Sequence, residues 1–84
     1  MLIVNGEAII PDGMEEIPDG FLKGGLLQKV VIPKTVKRIG NEAFCDCHSL
    51  VDVVIENGVI SIGEHAFGWC DSLNAIHIPD SVTE

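Results

Sequence analysis

Apolar residues in this chain fall in short alternating runs, and the runs return at a fixed spacing. Val30 and Ile32, Val53 and Ile55, and Ile76 and Ile78 each alternate with neighbours of another character, which predicts strands at 29–32, 52–55 and 75–78 with one face buried. A leucine precedes each strand at Leu27, Leu50 and Leu73, and a lone valine follows at Val36, Val59 and Val82. Between the runs lie clusters of Pro, Asp, Asn and Gly that turn the chain. Strands that recur at one long spacing, with a turn and a second short strand between them, stack as parallel coils.

The stretch 39–59, IGNEAFCDCHSLVDVVIENGV, shows the period most plainly, because a shift of 23 residues lands it on itself. Ile39 meets Ile62, Gly40 meets Gly63, Ala43 meets Ala66, Phe44 meets Phe67, Cys47 meets Cys70 and Leu50 meets Leu73. The same step backward brings Phe21, Leu27, Val30, Ile32 and Val36 into register. The unit reads I-G-x-x-A-F-x-x-C-x-x-L-x-x-V-x-I-P-x-x-V-x-x. In it the chain resembles the BspA-type leucine-rich repeats over nearly its whole length. Departures are Gly24 in place of the cysteine, Glu56 in place of the proline, and one residue fewer between Ile17 and Phe21. The resemblance implies a recognition scaffold with no shared catalytic residues.

The expected fold is a short leucine-rich-repeat solenoid of about three and a half coils, forming one domain over 1–84. A parallel strand ladder lines one face, with short helical turns on the other. Residues 1–17 form the N-terminal cap and first half-coil, and 18–38, 39–61 and 62–84 are the repeats. Within the cap, Leu2–Val4 and Glu7–Ile10 flank Asn5-Gly6, a strong signal for a β-hairpin. GNEAFCDC (40–47) and GEHAFGWC (63–70) are read as single helical turns, too short to stand without packing. Parallel stacking sets Glu15 and Glu16 beside Lys37 and Arg38, and Ile60 and Ser61 beside those in turn.

Composition narrows the function. Apolar residues are 46% of the chain but only four are aromatic, which suits a narrow aliphatic core. The net charge is −8, unevenly spread. All five basic residues (Lys23, Lys29, Lys34, Lys37, Arg38) lie within 23–38, whereas 39–84 holds eight acids and no Lys or Arg: Glu42, Asp46, Asp52, Glu56, Glu64, Asp71, Asp80 and Glu84. That balance argues against direct contact with nucleic acid, which needs cations on its phosphates. It suits a basic protein partner, and it also keeps a strand stack soluble. No apolar run is long enough to span a membrane, and MLIVNGEAII has no basic leader, so a cytoplasmic address is expected, or the cell surface if the chain is part of a longer relative.

Candidate chemistry is sparse. Cys45, Cys47 and Cys70, with His48, invite a metal reading, but Cys-x-Cys is not the usual zinc spacing, and the phase of Cys47 and Cys70 points inward as a thiol ladder. His48, His65 and His77 occupy three phases and do not converge; His65 stacks over Glu42 and His48 under Asp71. With no catalytic constellation an enzyme is not expected, nor any cofactor or metal.

The outward columns of the strand face carry more. They run Gln28/Val51/Asn74, Lys29/Asp52/Ala75 and Ile9/Val31/Val54/His77. The last is an aliphatic stripe on a face that is normally wet, and it marks a partner site unless the N-terminal hairpin or a second copy covers it. Trp69, whose phase is held by Lys23 and Asp46 in earlier coils, is an exposed aromatic anchor or a lid over the last coil. The chain ends one residue before the next expected isoleucine, with no polar cap, so the last coil is expected to pair with a second copy through Trp69, Ile76, Ile78 and Val82.

The expected function is therefore a non-enzymatic protein-interaction module, homodimeric through its C-terminal coil. Ile9, Val31, Val54, His77, Asp52 and Trp69 would meet the partner. The alternatives are a small acidic inhibitor that mimics nucleic acid on a basic protein, and a piece of a longer surface repeat protein.

Overall fold

The computed structural model describes residues 2–11 and 13–83, and the side chains of all of these but Leu2 and Ala75. Met1, Asp12 and Glu84 lie outside the described residues, as does the side-chain placement expected for Ala75. Eight strands form: β1 (Leu2–Val4), β2 (Glu7–Ile9), β3 (Glu16–Ile17), β4 (Lys29–Ile32), β5 (Arg38–Ile39), β6 (Asp52–Ile55), β7 (Ser61–Ile62) and β8 (Ala75–His77). They build a five-stranded sheet in the order β1-β2-β4-β6-β8 and a three-stranded one in the order β3-β5-β7. Apart from the antiparallel β1–β2 pair, every pairing is parallel. The chain is thus a small β-solenoid of about three turns with a parallel ladder, as the repeat requires.

The N-terminal hairpin turns on Asn5 and Gly6, whose φ angles of 51° and 80° are both positive, as this tight turn demands. It lengthens the sheet at its edge and does not fold over the face.

The first coil's strands pair at the expected shorter step, but its missing residue does not fall between Ile17 and Phe21. From β4 to β6 the step is 23 residues, Val30 facing Val53, but from β2 to β4 it is 22, Ala8 facing Val30, and Ile17 likewise faces Ile39. The shorter step persists through the following turn. Leu22 donates its N–H to Ala43, as Phe44 does to Ala66, so Leu22 and not Phe21 holds the Phe44 position. Gly24 donates to Cys45 as Asp46 does to Gly68, which puts Gly24, not Lys23, in the phase of Asp46 and Trp69. The missing residue therefore falls between Gly24 and Leu27, where two glycines let the chain take the shorter path. Phe21 still meets Phe44 edge-on at 6.4 Å, and Phe44 stacks on Phe67 at 5.3 Å.

The stretches read as single helical turns are chains of tight turns instead, and no described residue is helical. Their amides explain why. Glu42, Phe44 and Asp46 donate to Glu64, Ala66 and Gly68 of the next coil, while Ala43 and Cys45 donate back three residues to Gly40 and Glu42. Every second N–H is taken by a neighbouring coil, so no helical ladder can form. The alternation needs positive φ at Glu42 (57°), Asp46 (62°), His65 (54°) and Trp69 (58°), matching Gly20 (67°) and Gly24 (73°) in the first coil.

Each coil sends one aliphatic layer inward. Ile17, Leu27, Val30, Ile32, Val36, Ile39, Phe44, Leu50 and Val59 are fully buried. Gly40 and Gly63 open the second and third repeats because a Cβ there would lie 2.5 Å from the Asp19 and Asn41 side-chain oxygens. Those oxygens accept the N–H groups of Asn41 (2.8 Å) and Glu64 (2.9 Å), tying coil to coil.

Candidate partner-binding surface

Along the outer face of the large sheet, ladder pairing stacks Ile9, Val31, Val54 and His77 in one column. Inward neighbours Val30 and Val53 are 0% and 4% exposed, whereas Ile9 and Val54 are 42% and 41% exposed, Val31 is half-buried and His77 is exposed. Alternation along each strand decides this: side chains of one strand point to opposite faces, so filling the core with one set leaves the other in water. The hairpin leaves the column bare. Shallow hollows flank it, one of about 210 Å³ beside Ile9 and Val31 and one of about 310 Å³ beside His77 and Pro79. Asp52 lies in the adjacent column, Glu7–Lys29–Asp52, where charges alternate in sign.

A larger hollow, about 470 Å³, lies elsewhere, along the turns at Gly13, Thr35 and Gly58 beside Lys34 and Lys37. The Thr35 hydroxyl is buried there without a partner among the described residues.

Ion pairs follow the stacking. Arg38 grips Glu16 with Nη2 and Nε at 2.6 and 2.8 Å, but Lys37 turns its ammonium to the Lys34 carbonyl, 3.4 Å away, rather than to Glu15. His48 meets Asp71 at 3.0 Å as expected. Glu42 instead pairs with Lys23 at 3.1 Å, which raises the Lys23 pKa, and His65 lies against Trp69 with ring centres 5.6 Å apart. Trp69 itself is 63% exposed on the outer turn.

Cys47 and Cys70 stack inward, and each thiol donates to a carbonyl of the preceding coil: Cys47 to Leu22 at 3.3 Å and Cys70 to Phe44 at 3.2 Å. Burial pushes the Cys47 thiol up to about 11 and raises Cys70 as well. A thiol so held is a small core hydrophobe, not a nucleophile. Among the described residues no group of His, Cys, Asp and Glu is placed to hold a metal ion.

The last coil is less covered than those before it. Ile55 is 4% exposed but Ile78, one coil on, is 45%; Val59 is fully buried and Val82 only half. Ile76 and Phe67 are likewise half-buried. The sequence did not mark Leu26, the most exposed large apolar residue described at 83%, nor Ile60 at 44%. Leu26 stands out of the core because the short first coil leaves it on the Gly24–Gly25 turn, a consequence visible only once the register is known.

Comparison with known proteins places these features in a family. The model of the BspA type leucine rich repeat region matches residues 7–84 in six copies. A leucine-rich repeat protein from Bacteroides capillosus ATCC 29799, known from a crystal structure, is 33% identical with a TM-score of 0.91; the match covers 96% of this chain and 66% of that one. The T. pallidum leucine-rich repeat protein is 31% identical with a TM-score of 0.85, over 92% of this chain and 39% of its own. This chain thus spans about two thirds of the first and two fifths of the second. No curated protein matches it.

Proposed function

This chain belongs to the BspA type leucine-rich repeat family, and we propose that it is a non-enzymatic module that binds a protein partner on the outer face of its five-stranded sheet. The observation that carries this is the uncovered column Ile9–Val31–Val54–His77, with Asp52 beside it. Exposed aliphatic side chains on a rigid, hydrogen-bonded ladder are pre-organised to meet apolar groups of a partner. The second half, from 39 on, carries eight acids and no lysine or arginine, so the partner we propose is basic. Charge mimicry of nucleic acid is the alternative on the same observation, and competition by DNA or RNA for the partner would favour it.

The proposal extends to self-association. Ile76, Ile78 and Val82 form the least covered apolar layer in the stack, with Trp69 at its rim, and a second copy laid against that layer would bury it. The three free cysteines suit a reducing compartment, and we place the protein inside the cell.

Val54→Glu tests the sheet-face reading. Because Val54 is 41% exposed, the fold should hold, at a cost of about 1 kcal/mol. A protein retained from cell extract by the wild type and lost by the variant, then rebound in purified form, is the expected result. If every retained protein binds both forms equally, the column is not the site.

A further inference from the structure

The one exposed aromatic side chain is not accounted for by folding. Trp69 sits at φ 58°, a conformation that bulky side chains seldom adopt, and the equivalent positions of earlier coils hold Gly24 and Asp46, residues suited to it. It leaves 63% of its surface in water, so burial gives little in return. His65, at φ 54°, lies against one side of the indole and props it outward. Glu42 is held by Lys23 and Asp71 by His48, but Asp46, one coil back from Trp69, and Glu64, beside His65, have no ion-pair partner among the described residues.

We propose that Trp69, braced by His65 and with Asp46 in the same position one coil back, is the docking point for an arginine side chain of the basic partner. A guanidinium is flat and weakly hydrated, stacks on an indole face, and offers several N–H donors to nearby carboxylates. Lysine, a compact and strongly hydrated charge, uses the same place less well. The inference rests on the basic-partner reading above and adds the residue that recognises the charge. It also explains why a tryptophan is tolerated where glycine or aspartate would strain the backbone less.

The test measures binding of a fluorescein-labelled tetra-arginine peptide by anisotropy at low salt, with tetra-lysine and tetra-glycine peptides as controls, alongside thermal unfolding of each variant. Wild type should prefer the arginine peptide and ignore the glycine one. Trp69→Gly should weaken binding by about three- to fivefold with a thermal midpoint unchanged or raised, since glycine suits the backbone. Trp69→Phe should restore most of the affinity. Equal binding by wild type and Trp69→Gly overturns the arginine site while leaving the basic-partner reading standing. No arginine binding by wild type overturns both. A midpoint that falls in Trp69→Gly makes the indole a lid on the last coil and also overturns the proposal.

Discussion

Ile55 and Ile78 occupy the same inward position in successive coils but are 4% and 45% exposed, so truncating each measures what covers the last coil. Ile55→Ala removes a branched side chain from a closed layer and should cost about 2–5 kcal/mol. In a lone chain Ile78 has little more than half its surface covered, so Ile78→Ala should cost roughly half as much, about 1–3 kcal/mol. If a second copy covers the coil, the difference between the two variants shrinks and the cost of Ile78→Ala approaches that of Ile55→Ala. The wild type then also gains apparent stability with concentration, by up to about 2.7 kcal/mol over a hundredfold range. Urea unfolding followed by circular dichroism, at low micromolar protein and a hundredfold above, reads both quantities. For a chain this short each kcal/mol moves the thermal midpoint by about 4–8 °C, which gives a second readout. Wild-type curves that superpose at all concentrations, with Ile78→Ala costing half of Ile55→Ala, would refute self-association through this coil.

A Cβ added at Gly58 would lie 2.6 Å from the Lys34 carbonyl oxygen at a φ of 135°, so Gly58→Ala should destabilise by about 1–3 kcal/mol; an unchanged urea midpoint would show that the Asn57–Gly58 turn shifts freely. Stability should also fall in mild alkali. The Cys47 thiol titrates near 11 when folded against 9.0 ordinarily, so between about pH 9 and pH 11 the unfolded chain holds fewer protons and is favoured as pH rises. Cys47→Ala should flatten that part of the unfolding profile relative to wild type; parallel profiles would mean that the thiol reaches water.

Much of this architecture was legible because a repeat states its pattern several times. Val30, Val53 and Ile76 name the inward column and fix Val31, Val54 and His77 as the outward one, since a strand alternates faces whatever surrounds it. Two things were not legible. The repeat pattern puts the first-coil gap between Ile17 and Phe21, because aligning Phe21 with Phe44 saves an aromatic match; the chain keeps its intercoil hydrogen bonds instead, and Phe21 meets Phe44 from the adjoining position. Buried amides must be paired, whereas one aromatic contact can be made from either of two neighbouring sites. The other was the turn conformation. Ala-Phe pairs suggest helix, but a helix would draw the N–H groups of Phe44 and Asp46 away from Ala66 and Gly68 and so unfasten the coils. Nothing local in GNEAFCDC announces that the partner carbonyls lie a full repeat away.

Stacking also explains where charge is left over. In a parallel solenoid a residue's lateral neighbours are its own equivalents in the coils on either side, so a repeated acid would stand beside itself and repel. The first coils answer with alternation: Glu16 beside Arg38, and Glu7 beside Lys29 beside Asp52. Past Arg38 the chain supplies no further lysine or arginine, and the Asp71 carboxylate meets the His48 imidazole instead. Asp46, one coil back from the exposed Trp69, has no ion-pair partner among the described residues. Asp46 therefore has only Gly24 and Trp69 as lateral equivalents, and a cation stacked on the exposed indole would find that carboxylate one coil back.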